Sequence, residues 1–186
     1  MGSHSMDNLL GKASADIEPA KLAVLGVGAF LLQTILAPNM AIGDICPNFF
    51  MVALAIVLAK SSQKTAVIAG FVAGIVFDLL GSGPVGCMSL SMAVVAFAAS
   101  IFSDLFKADD IVSWIIAMAV ATLAVNLVYC IAVSMSGFET SFFGALAFKM
   151  LPWTIYDIVM GAIFWPVAKR IAGSSRPGPM KSKIRL

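Results

Sequence analysis

Charge is scarce in this chain. Of 186 residues only 12% are charged, while 60% are hydrophobic. An ordinary soluble domain carries roughly 25% charged residues, so a soluble globular fold is excluded. Intrinsic disorder is excluded too, because too little of the chain is polar. Histidine is nearly absent. His4 is the single copy, and it falls in residues 1–6, Met-Gly-Ser-His-Ser-Met, which read as an expression-tag remnant. With that stretch set aside, serine–histidine or cysteine–histidine catalysis and histidine metal sites are excluded. Cysteine is sparse as well. Cys46, Cys87 and Cys130 lie scattered through apolar sequence, which points to buried free thiols and no disulfide framework. There is no Gly-x-x-x-x-Gly-Lys-Ser/Thr phosphate loop, so the chain is not itself an ATPase. A net charge of +2 gives no reason to expect a nucleic-acid partner. No cofactor, catalytic group or metal-ligand set is predicted. Asp104, Asp109 and Asp110 flank one loop and read as solvated charges.

Long apolar runs are what the sequence has in abundance. A bilayer span takes about 20 apolar residues. Six stretches can be cut at charges and at glycine–proline clusters: 19–37, 47–59, 65–80, 85–102, 111–135 and 151–168. They predict an all-α, polytopic membrane helical bundle with about six transmembrane helices. Residues 7–18 form an N-terminal segment, 19–172 a single membrane domain, and 173–186 a basic tail. The stretch 47–59 is short, and a five-span alternative makes it a re-entrant or interfacial piece. With six spans, eleven of the twelve basic residues fall on one side and only Lys149 on the other. By the positive-inside rule both termini are cytoplasmic. The turn Gly81, Ser82, Gly83, Pro84 is then extracytoplasmic. Trp114, Trp153, Tyr156 and Trp165 lie near segment ends and read as interfacial anchors. Ala55, inside the short stretch, reads as lipid-facing.

Polar groups inside spans are costly and face the bundle interior. Asp78, Asn126 and Asp157 are the conspicuous ones, all in the outer half under this topology. One reading is a polar pocket opening outward. The other is structural: Asp78 accepts backbone hydrogen bonds from the following turn or caps the next helix. Asp157 then pairs with Lys149, or takes a hydrogen bond from a tyrosine or tryptophan. On the structural reading Asp78→Asn is mild and Asp78→Leu is not.

Ala66, Gly70, Gly74 and Asp78 recur every four residues, which keeps them on one helix face. Gly70 and Gly74 form a small-xxx-small pair that lets another helix approach closely. This stripe is a helix-packing or partner-binding face.

The stretch Gly70-Phe71-x-x-Gly74-x-x-x-Asp78, then Gly81, Gly83, Pro84 and Gly86, preceded by Cys46-Pro47-Asn48-Phe49-Phe50, resembles the bacterial rod shape-determining membrane protein family MreD. Tyr156-Asp157 departs from the Tyr-Asn pair common in that family. The resemblance implies a non-enzymatic subunit in the bacterial cytoplasmic membrane. Its expected partners are an MreC-like single-span protein, an MreB-like filament, a RodA-like glycosyltransferase and its transpeptidase. It also implies a helix arrangement similar to the substrate-binding S-components of energy-coupling-factor transporters. That likeness supplies the alternative function, a small-molecule-binding uptake subunit.

Overall fold

The computed structural model of the chain describes residues 17–43, 45–81, 83–102, 110–136 and 150–172. The expectations for residues 1–6, for the tail 173–186, and for Ser82, Asp104, Asp109 and Lys149 lie outside them.

The described residues are helical throughout their regular structure. Helix α1 spans Pro19–Asn39, opening on a proline whose missing N–H costs nothing at a first turn. It loosens into a π-helical segment over Leu32–Leu36. Helix α2 is Phe49–Lys60 and α3 is Gln63–Leu80, started by Asn48 and Ser62 as N-caps. Helix α4 is Cys87–Ile101. Helix α5 is Ile111–Met135, capped by Asp110 through the Ser113 N–H at 3.2 Å. Helices α6, Leu151–Ile163, and α7, Trp165–Ala172, meet at a 56° bend. Pro166 accounts for the bend: it has no N–H to continue the ladder, and its ring displaces the carbonyl four residues before it.

By length and composition α1, α3 and α5 can each cross a bilayer, and the bent α6–α7 pair makes a fourth candidate. Helices α2 and α4 are apolar but shorter, at 12 and 15 residues. At ~1.5 Å per residue α2 measures about 18 Å, short of the ~30 Å hydrocarbon core.

The short stretch is the centre of the molecule. Helix α2 touches each of the other six described helices, and nine of its residues are buried, from Phe49 to Leu58. Ala55 is 2% exposed, so the lipid-facing assignment is wrong. Trp114 is likewise no interfacial anchor: it is fully buried and donates its indole N–H to the Gly161 carbonyl at 2.9 Å. Exposed large apolar side chains lie instead on the outer faces of α1, α3, α4 and α5, as at Val24, Ile68, Phe97 and Val120.

Candidate functional site

The stripe on α3 is used within the molecule. Ala66, Gly70, Gly74 and Asp78 are the buried residues of that helix, and α3 with α4 makes the most extensive helix contact among the described residues. A Cβ on Gly74 would overlap the Ser89 backbone, with its nitrogen at 2.6 Å and the Met88 carbonyl carbon at 2.8 Å. One on Gly70 would stand 3.0 Å from the Met92 carbonyl oxygen. Two backbones meet here: at 74 only glycine fits, and at 70 a side chain would be tight. The face is therefore closed to an outside partner.

Asp78 sits at the end of this stripe, where the turn of 81–86 brings α4 back. Its Oδ2 accepts the N–H groups of Gly86 at 2.9 Å and Ser89 at 3.2 Å, and its Oδ1 accepts that of Met88 at 3.2 Å. The carboxylate thus takes up orphan donors at the α4 N-terminus, where negative charge is favourable. Gly86 has φ +105°, a left-handed conformation that suits glycine. Gly83 lies against Tyr129, whose hydroxyl would be 2.8 Å from an added Cβ. Gly81 and Pro84 complete the turn, with the Gly81 N–H returning to the Phe77 carbonyl at 3.1 Å.

A second polar cluster surrounds the buried start of α2. Asn48 accepts the N–H groups of Phe50 and Met51 on its own side chain, at 3.1 and 3.3 Å. The Asn48 N–H donates to Asp157 Oδ1 at 2.7 Å. Gln33, in the π-helical segment of α1, accepts the Phe49 N–H at 2.8 Å and donates to the Pro47 carbonyl at 3.2 Å. Trp153 donates to the Cys46 carbonyl, and Tyr156 to the Met40 carbonyl at 2.6 Å. The aromatic donors beside Asp157 thus bond to backbone, and its own partner is Asn48. Asn126 donates to Thr154 at 2.9 Å, linking α5 to α6, and the Thr154 hydroxyl donates to the Met150 carbonyl at 2.8 Å.

Asp78, Asn126 and Asp157 therefore do not converge. Each is bonded to a different protein group, and the polar pocket that their similar depth suggested is not formed by them. Gln33, Asn48, Trp153 and Thr154 were missed as members of a network. Gln33 was legible as an amide inside an apolar run, and Asn48 as a cap before Phe-Phe-Met. All three cysteines are free thiols.

Two grooves of about 650 and 640 Å³ flank α1. One lies toward α7 and the Phe164 bend, the other toward α3, and α2 floors both. Among the described residues no group of three potential metal ligands comes together.

A short, buried central helix pinned by side chains from both ends of the chain, within long apolar helices whose outer faces are hydrocarbon-like, defines a multi-pass helical membrane protein. A family model described as rod shape-determining protein MreD matches residues 21–171. The chain belongs to that family, and its role lies in determining rod shape. No curated protein and no solved structure matches the chain.

Proposed function

We propose that the chain is a non-enzymatic subunit of the bacterial elongation machinery that holds the membrane helix of an MreC-like single-span protein. Through it the subunit organises peptidoglycan synthesis by a RodA-like glycosyltransferase and its transpeptidase along an MreB-like filament. The chain crosses the cytoplasmic membrane six times, with both termini cytoplasmic and an arrangement like that of energy-coupling-factor S-components. The supporting observation is the groove between α1 and α3. It is apolar, and Ala23, Gly26, Ala53, Ala69 and Ala73 line it. Small residues let a second helix backbone approach, which is how helices associate in lipid. Gly26 has nothing within 4 Å of an added Cβ, so this surface is open.

An uptake subunit needs several unspent polar groups converging on a cavity. Here the carboxylates and amides inside the bundle are bonded to protein, which favours the scaffold. Co-purification tests the reading. Gly26→Leu fills the groove and is expected to lose most of an MreC-like partner, while Gly28→Leu, on the other side of α1, retains it. Equal recovery with both variants would count against the groove.

A further inference from the structure

The second groove differs in character. Its walls are bulky: Leu25 and Leu32 from α1, and Phe164, Val167 and Ile171 from the bent pair. Ala20, Gly28, Ala29 and Ala53 lie between them. Its polarity along the length is also one-sided. Phe49 and Phe164 meet edge-to-face at 5.8 Å and close one end, beside Leu32. The charged residues Glu18, Lys21 and Arg170 stand at the other. From Lys21 to Leu32 the groove runs eleven residues along α1, about 16 Å at ~1.5 Å per residue. Half of a ~30 Å hydrocarbon core is about 15 Å. The groove is therefore about as long as one leaflet is deep, with its charged residues together at one end.

The charges at that rim are unequal. Lys21 is bridged to Glu18 at 3.4 Å, with both side chains exposed. Lys169 lies over the Trp165 ring at 4.9 Å. Arg170 makes no ion pair among the described residues. A guanidinium offers a planar fork that matches a phosphate, and basic pockets between membrane helices recruit anionic headgroups.

We propose that this groove holds an acyl chain of an anionic phospholipid from the leaflet at the charged end, with the phosphate on Arg170, since Lys21 is already neutralised by Glu18. The inference needs the helices to lie in a bilayer but not the partner assignment, since the two grooves are separate. The test uses the full chain, stripped of lipid in an uncharged detergent. Dioleoylphosphatidylglycerol, dioleoylphosphatidylcholine and inorganic phosphate are added in turn, and bound species are read by native mass spectrometry with melting temperature in parallel. Phosphatidylglycerol is expected to bind and stabilise more than phosphatidylcholine, and phosphate alone to do neither. Arg170→Gln should weaken phosphatidylglycerol about fivefold, the worth of one basic residue near a headgroup, without changing phosphatidylcholine. Gly28 has nothing within 4 Å of an added Cβ, so Gly28→Leu should fold normally, fill the groove and remove tight binding of phosphatidylglycerol. Gly26→Leu should leave it intact. Equal binding of the two lipids, an unchanged Arg170→Gln, or equal losses in Gly26→Leu and Gly28→Leu would overturn the proposal. Retention of the lipid together with loss of partner in Gly26→Leu would support both readings independently.

Discussion

Asp157 on α6 accepts the backbone N–H of Asn48 at 2.7 Å, joining positions 109 residues apart at the start of the central helix. Helix N-termini leave donors unpaired, and in a water-free interior each must find an acceptor. The chain meets that demand from outside α2, with Asp157 on Asn48 and Gln33 on Phe49. The hub is thus what allows a short helix to begin within the bundle.

The first prediction follows from that bond. Asp157→Asn keeps a carbonyl oxygen for the Asn48 N–H and is expected to melt within a few degrees of the parent. Asp157→Leu leaves the donor buried and unpaired, costing about 1–3 kcal/mol. Thermal unfolding in detergent distinguishes them. A Leu variant as stable as the Asn variant would mean that the bond does not hold the start of α2.

Asp78 behaves differently because both of its oxygens are engaged. Oδ2 serves Gly86 and Ser89 while Oδ1 serves Met88. An asparagine has one oxygen to offer, and its amide then faces a remaining N–H, so the expectation that Asp78→Asn is mild is revised. The order of stability should be parent, then Asn, then Leu. If Asn equals the parent in melting temperature yet fails to restore rod shape in cells, the charge itself has a functional role.

Much of the α3–α4 hairpin was readable, because a four-residue recurrence of Ala66, Gly70, Gly74 and Asp78 marks a helix face whatever surrounds it. The place of α2 was not. Its sequence is apolar on every side, and in a membrane protein lipid and core are equally apolar, so hydropathy cannot tell a central helix from a peripheral one. Ala55 was misread for that reason. Trp114 was misread because nearness to a segment end suggests an interface, while its partner, the Gly161 carbonyl, is 47 residues away. The hub escaped notice on the same ground: Gln33, Asn48 and Trp153 are assembled by tertiary contact, with no spacing to announce it.

The close crossing of α3 and α4 gives the third prediction. Gly74→Ala places a methyl group against the backbone of Ser89, which is not a flexible neighbour. Overpacking costs about 1–3 kcal/mol. Gly70→Ala meets its neighbours at 3.0 Å and beyond, so its loss should be smaller. Gly28→Ala, with open space, is the control. Ala55 is not a suitable control, since it is buried, and Ala55→Leu is itself expected to destabilise. Melting temperatures that rank Gly28→Ala below Gly74→Ala would contradict the crossing.

The last prediction separates a structural amide from a solute-binding one at Asn126. Its Nδ2 donates to Thr154 Oγ1 at 2.9 Å, and both residues are buried. Thr154→Val keeps shape but removes the acceptor, leaving the amide without that partner. Asn126→Leu removes the donor. In the double variant neither group remains, so its loss should fall short of the two single losses added together. Hydrogen bonds between membrane helices couple by about 0.6 kcal/mol on average and up to about 1.7, because the unfolded chain in lipid also finds partners. A coupling of that size is expected from a double-mutant cycle in detergent. Rod-shape complementation should then follow stability, with each single variant impaired only as far as it is unfolded. Should Asn126 instead contact a solute, Asn126→Leu would abolish function at unchanged melting temperature. The coupling to Thr154 would vanish within error. That pair of results would return the uptake subunit to first place.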